Sequence, residues 1–177
     1  PRQFIETNII GTFNLLNSAL NVYRKNKNQA DYFFKFHHIS TDEVYGDLGD
    51  SKQLFEEYSS YNPSSPYAAS KASSDHLVRS WGRTYNFPYV ITNCSNNYGP
   101  YQFPEKLIPN TIIKALTGND ISVYGDGSNI RDWLYVDDHI KAIMRVALEA
   151  NDAESYNIGG YNEIKNIDVV NAICKIL

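Results

Sequence analysis

Phe33-Phe34-Lys35-Phe36-His37-His38-Ile39-Ser40-Thr41-Asp42-Glu43-Val44-Tyr45-Gly46 is the stretch that decides the fold. Phe33 to Ile39 is a short aromatic and β-branched run, which reads as a buried strand. Ile39 to Gly46 then leaves that strand at its C-terminal end carrying hydroxyls and two adjacent carboxylates. In open α/β sheets, ligands bind at those strand ends.

Upstream, Ile5, Ile9, Phe13, Leu16, Leu20 and Tyr23 recur at helical spacing and predict an amphipathic helix over 3–24. Downstream, 47–65 is polar and reads as an excursion loop, and Pro66 opens a helix that runs to about Tyr85. Tyr89 to Asn93 is a second strand, followed by an Asn-, Gly- and Pro-rich loop from Cys94 to Pro104. A helix over 105–117 ends at Gly118, Ile121 to Tyr124 reads as a strand, and Gly125-Asp126-Gly127-Ser128 as a turn. Arg131 to Val136 is extended, and Asp137-Asp138 cap a helix through Glu149. Ser155 to Ile158 is a further strand, and Asn166 caps the last helix. Strands alternating with helices of this length predict an α/β fold with a parallel sheet.

The 177 residues contain no apolar run approaching the roughly 20 needed to span a bilayer, so no membrane partner is expected. The net charge of −4, with its basic residues scattered, argues against nucleic acid, because a nucleic-acid binder shows a basic face. Any anionic ligand must therefore be held by a few placed cations. Cys94 and Cys174 cannot form a disulfide framework, and a reducing cytoplasm is the expected setting. His37, His38, His76 and His139 show no metal-ligand spacing, so no metal is expected.

Tyr67 and Lys71 lie four apart on one predicted helix and share a face. An ammonium beside a phenol favours the phenolate, which can take a proton from a sugar hydroxyl while a hydride leaves the same carbon. The spacing alone is weak, since Tyr23–Lys27 and Tyr161–Lys165 share it. The surrounding Ser65-Pro66-Tyr67-Ala68-Ala69-Ser70-Lys71-Ala72 strengthens it, because small residues let a flat cofactor approach. An adjacent pair such as Asp42-Glu43 is more often solvated loop charge, and Lys106 or Arg131 taken singly more often a surface cation.

Taken together, Ser40-Thr41-Asp42-Glu43-Val44-Tyr45-Gly46 and the Tyr67 segment resemble the extended short-chain dehydrogenase/reductase family. Within it the chain is similar to the dTDP-glucose 4,6-dehydratases. The likeness extends through Asn93-Cys94-Ser95-Asn96-Asn97-Tyr98-Gly99-Pro100-Tyr101 and Phe103-Pro104-Glu105-Lys106-Leu107-Ile108-Pro109. Arg131-Asp132-Trp133-Leu134-Tyr135-Val136 and Tyr156-Asn157-Ile158-Gly159-Gly160 share it too.

The resemblance implies part of a Rossmann-like doubly wound parallel sheet plus a smaller C-terminal α/β substrate-binding region. Residues 1–100 would carry catalysis and part of the cofactor site, and 101–177 mainly the nucleotide sugar, with segments returning to the main sheet. It implies NAD as a recycled cofactor and dTDP-glucose as substrate, dehydrated to the 4-keto-6-deoxy sugar used in deoxysugars such as rhamnose. Tyr67 would be the base at C4, with Lys71 lowering its pKa and bonding the nicotinamide ribose, and Thr41 would bond the C4 oxygen. Glu43 would remove the C5 proton, and Asp42 would protonate the departing C6 hydroxyl. Thr7 and Asn97 would also touch the cofactor. Asn96, Lys106 and Arg131 would hold sugar and diphosphate, while Leu107, Ser122, Val123, Tyr124 and Asn166 would line the base and sugar.

The family's glycine-rich phosphate turn is not among these residues, so the natural chain is expected to be longer. A homodimer through helices 3–24 and 66–85 is expected by the same resemblance. The alternatives are another nucleotide-sugar 4,6-dehydratase, a 4-epimerase, or a non-catalytic module that binds nucleotide sugar or self-associates. The acidic pair at 42–43 argues against the epimerase.

Overall fold

A computed structural model of the chain describes residues 1–49 and 54–177, so 50–53 of the expected 47–65 loop lie outside the described residues. The fold is α/β, with two compact units: Pro1–Cys94 with Ala142–Ile158, and Ser95–Lys141 with Gly159–Leu177.

In the first unit, β1 (Phe36–Thr41), β2 (Tyr89–Cys94) and β5 (Glu154–Ile158) form a parallel sheet in the order β1-β2-β5. Thr41 pairs with Cys94 and Cys94 with Ile158, so the three C-terminal ends lie side by side. The central strand β2 is buried from Tyr89 to Asn93, the continuous burial expected of a parallel strand covered on both faces.

β1 begins and ends later than the expected Phe33 to Ile39. Phe33 is 67% exposed and Phe34 packs its ring against Phe87 ahead of the ladder, which begins at Phe36, itself packed on the same ring. The strand instead continues through His38, Ser40 and Thr41, polar residues that are nonetheless buried. Their burial depends on partners from another element, which a local pattern does not show.

The first helix runs through α1 (Arg2–Phe4), a π-helical stretch Ile5–Ile10, and α2 (Gly11–Asn26), against an expectation of 3–24. Leu16 and Leu20 bury with Val78, Phe87, Tyr89 and Ile91 as the main apolar core of this unit. α3 spans Pro66–Tyr85 as expected. Its start is set by Ser65, whose hydroxyl accepts the Ala68 N–H at 3.0 Å, and by Pro66 in the first turn.

In the second unit, β3 (Asn96–Tyr98) pairs parallel with β4 (Ile130–Tyr135), and β4 pairs antiparallel with β6 (Glu163–Lys165). β3 falls within the expected 94–104 loop, and β6 was not anticipated. Conversely, Ile121 to Tyr124 is not a strand; it has no ladder partner, and Tyr124 is 88% exposed. Asp132 fixes the turn leading into β6 by accepting the N–H groups of Gly160 at 2.6 Å and Asn162 at 2.8 Å. α4 (Leu107–Leu116) packs on α6 (Asn166–Ile176). Asn166 is the first helical residue of α6 and its side chain makes no capping bond, which corrects the expected cap. α5 (Val136–Glu149) opens with Asp137 and Asp138 in its first turn, where carboxylates suit the helix dipole.

Among the described residues no helix is long and apolar enough to cross a membrane, and no cluster of His, Cys, Asp or Glu could hold a metal ion.

Gly82 lies in the interior of α3, where alanine is ordinarily favoured by about 1 kcal/mol. A Cβ there would meet Cδ1 of buried Tyr89 at 2.6 Å and Cε1 closer still. The steric term wins: Gly82→Ala is expected to lower unfolding free energy by about 1–3 kcal/mol in urea titration. A gain in stability would show that helix and strand can separate without loss.

Candidate active site

The C-terminal end of β1 turns directly into a single 3₁₀ turn, Asp42–Tyr45. Thr41 starts it: its hydroxyl accepts the Glu43 N–H at 3.3 Å and stands 3.4 Å from Asp42 Oδ1. Val44 and Tyr45 anchor the turn from below, packed with Ala72, Phe55 and Tyr61. Tyr45 donates to Asn157 Oδ1 at 2.9 Å, tying the turn to β5. This leaves Thr41 buried, Asp42 half-buried and Glu43 exposed. Gly46 closes the turn at φ +89°, and a Cβ there would collide with the carbonyl of Asn62. Asn62 donates its N–H to Val44 O at 3.0 Å, so the chain crosses itself where only glycine fits.

α3 brings Tyr67 and Lys71 to this strand end. Lys71 Nζ donates to the carbonyl of Ile39 at 2.8 Å, which joins the helix to β1 two residues before Thr41. Tyr67 is half-buried, with the Phe4 ring edge-on at 5.6 Å. Ser70 donates to the Tyr67 carbonyl at 2.7 Å and accepts from Asn8 Nδ2 at 2.9 Å. Asn8 belongs to the π-helical stretch, whose wide turn is the kind that recurs at functional sites. Sequence reasoning missed Asn8, and the irregularity that presents it has no periodic signal.

Burial pushes the Tyr67 phenol above its ordinary value, and the negative charge of Glu43, then Cys94, Asp42 and Asp75, adds to it. The net direction is opposite to the lowering expected from Lys71. Burial pulls the Lys71 ammonium below its ordinary value, partly opposed by Asp75 and Cys94.

Thr7 lies exposed on the π-helical stretch. In the second unit, Asn96 and Asn97 sit on β3, where Asn97 Nδ2 donates to Ser95 O at 3.0 Å. Lys106 is exposed just before α4, and Leu107 is that helix's first residue, half-buried. Exposed Ser122 accepts from Lys114 Nζ at 2.8 Å, and half-buried Val123 packs beside Gly127 and Ile167. Arg131 is exposed on β4, its guanidinium donating to Ile130 O at 2.9 Å. Asn166 donates its N–H to Asn129 O at 2.9 Å, which sets the start of α6 beside the 122–131 segment. Its Oδ1 is buried with no hydrogen-bond partner among the described residues, a group whose acceptor capacity is unused.

Two open recesses lie elsewhere in the first unit, one around Tyr23, Phe34, Lys35 and Pro88 and the other around Tyr23, Phe87 and Pro88. Lys35 in the first is already engaged by the Ala150 carbonyl and by Asp152 at 3.7 Å.

The family model described as GDP-mannose 4,6 dehydratase matches residues 1–176. A dTDP-glucose 4,6-dehydratase of Neisseria meningitidis serogroup B is 59% identical over 175 residues, 99% of this chain and 49% of that protein. The crystal structure of a dTDP-glucose 4,6-dehydratase from Bacillus anthracis in complex with NAD superposes with a TM-score of 0.86 at 46% identity. It covers 97% of this chain and 52% of that one. A Streptomyces venezuelae dTDP-glucose 4,6-dehydratase with NAD bound gives a TM-score of 0.88 at 41% identity, over 96% of this chain and 49% of that one. The chain spans about half the length of the curated relatives it matches. A parallel sheet carrying Thr41, Asp42 and Glu43 at its C-terminal edge beside a Tyr67–Lys71 helix, with a match over 1–176, makes the chain a member of the GDP-mannose 4,6-dehydratase family.

Proposed function

We propose that the protein bearing this chain is an NAD-dependent lyase that dehydrates dTDP-glucose to dTDP-4-keto-6-deoxyglucose. The observation that carries this reading is the Lys71–Ile39 bond, which joins the Tyr67 helix to the strand presenting Thr41, Asp42 and Glu43. The choice of dTDP-glucose over GDP-mannose is supported by the 56–59% identity to proteins named for that substrate.

The donor set fits the nicotinamide-ribose end of NAD. An ammonium has three protons to donate; Lys71 gives one to Ile39 and keeps the others for ribose hydroxyls. Buried Ala68 and Ser70 add no bulk around the pair, and Thr7 and Asn97 would supply further polar contacts. Held by Lys71, Thr7 and Asn97, NAD would supply a hydride acceptor for sugar C4 and a hydride donor for C6, and so would be regenerated in each turnover.

Tyr67 as phenolate takes the proton of the C4 hydroxyl, while Thr41 holds that oxygen. The 4-ketone acidifies the C5 proton, which Glu43 removes. Asp42, protonated, gives its proton to the C6 hydroxyl, which leaves as water. Asn96, Lys106 and Arg131 hold sugar and diphosphate, with Leu107, Ser122, Val123, Tyr124 and Asn166 around the sugar and base. The buried, unpartnered Oδ1 of Asn166 supports its contact. In this reading 1–100 belongs to the cofactor-binding domain and 101–177 mainly to substrate binding, and the protein works in the cytoplasm. Association into a homodimer through α2 and α3 is supported by exposed Phe13, Leu15 and Val22 on α2.

Incubating the complete natural protein with NAD and dTDP-glucose is expected to give a sugar nucleotide lighter by one water in mass spectrometry. Unchanged dTDP-glucose would sink the reading. Tyr67→Phe should lower kcat by about 100- to 10,000-fold, with sugar-nucleotide binding retained in calorimetry.

The two carboxylates separate by isotope. In deuterated water, Glu43→Gln should abolish deuterium entry at C5, whereas Asp42→Asn should slow water loss while C5 exchange persists. Equal effects of the two substitutions would reject the division of labour.

A further inference from the structure

Asp75 lies on the same stripe of α3 as Tyr67 and Lys71, two successive steps of four residues along the helix, and its side chain is fully buried. A carboxylate there must be met by donors, and the donors identify what it holds. Oδ2 accepts from Ser40 Oγ at 2.9 Å and from the Tyr61 hydroxyl at 2.9 Å, with Asn93 Nδ2 at 3.5 Å. Oδ1 stands 3.1 Å from His38 Nε2. His38 and Ser40 are alternate residues of β1, on the one face turned to α3, and Ser40 immediately precedes Thr41. Asn93 on β2 also donates to the Thr41 carbonyl at 3.1 Å. On its outer side the cluster continues to Arg79, whose guanidinium reaches the Tyr61 hydroxyl at 3.3 Å and Ser155 Oγ at 2.9 Å.

We propose that Asp75 is a positioning residue for the reaction: its buried carboxylate locks the end of β1 to the Tyr67–Lys71 helix. The inference rests on the functional reading above and adds to it a residue that touches neither substrate nor cofactor. Lys71 holds β1 by one carbonyl, and Asp75 holds it by the Ser40 hydroxyl one helical turn further on, with His38 Nε2 close to its other oxygen. With both in place, the 3₁₀ turn that follows Thr41 has no freedom to slide along α3.

The charge acts on the same pair. Asp75 contributes to holding the Tyr67 phenol up, after burial, Glu43, Cys94 and Asp42, and it opposes the downward pull of burial on Lys71. Facing Asp75 are His38 from β1, Tyr61 from the loop before α3, and Arg79 from α3 itself. Removing its charge therefore lowers the Tyr67 pKa. The rising limb of kcat against pH, which follows formation of the phenolate, then moves to lower pH.

The test is Asp75→Asn in the complete protein, which keeps the shape and removes the charge. Expected are a kcat lower by about tenfold or more at its pH optimum with KM little changed, and a rising limb moved to lower pH. Faster hydrogen exchange at the Glu43 and Gly46 amides, both bonded within the turn, is expected as well. A limb that stays where it is in the folded variant, or exchange equal to wild type, overturns the proposal. Should Asp75→Asn fail to fold, Ser40→Ala decides. It leaves the carboxylate in place, so exchange should quicken and kcat fall without movement of the limb; exchange and kcat both at wild-type levels overturn the clamp. Hydrogen exchange needs no turnover. If the wild-type protein does not dehydrate dTDP-glucose, the functional reading fails, and the exchange result still supports or overturns the clamp by itself.

Discussion

The bond from Lys71 to the carbonyl of Ile39 is the constraint around which the first unit is arranged. Carbonyls near the end of a strand need donors, and here one is met by a side chain of a helix. A shift of the helix along β1 would break this bond and leave the half-buried ammonium without that partner. Thr41 follows two residues later, and its hydroxyl starts the 3₁₀ turn that displays Asp42 and Glu43. Strand end, turn and Tyr67 thus share one frame of reference, and a carboxylate, a phenol and an ammonium come to lie at one edge of the sheet.

The polarity of that frame costs desolvation, and the surroundings offset it group by group. Val44 and Tyr45 drop into an apolar cluster and hold the turn down. Gly46 lets the returning chain pass so closely that Asn62 closes onto Val44. Beneath, Leu16, Leu20, Val78 and Ile91 supply the apolar burial that stabilises the whole.

What could be read from sequence follows the range of the forces involved. α3 was legible to the residue because its start is local: a serine cap and a proline in the first turn. β2 was legible because every side chain from Tyr89 to Ile91 is apolar and buried. The extent of β1 was not, since buried Ser40 is bonded to Asp75, more than thirty residues on, and His38 lies against the same carboxylate. β3 and β6 have three residues each and no apolar alternation, and exist because β4 offers them a backbone. Ile121 to Tyr124 has strand composition but no neighbour to pair with. At the site, Tyr67, Lys71, Thr41 and the acidic pair were legible through motif resemblance. The direction of the Tyr67 shift was not, because burial acts in three dimensions.

The π-helical stretch Ile5–Ile10 alters the phase of the helix that contains it. A turn closed by i to i+5 bonds holds about one more residue than an α-helical turn. Side chains before the stretch are therefore rotated relative to those after it by roughly one residue's worth of helical twist. The widened turn behaves as a one-residue insertion absorbed without a loop. It lets a single rod serve two surfaces, one keyed to the apolar core and the other, through Asn8 and Ser70, to the backbone of Tyr67.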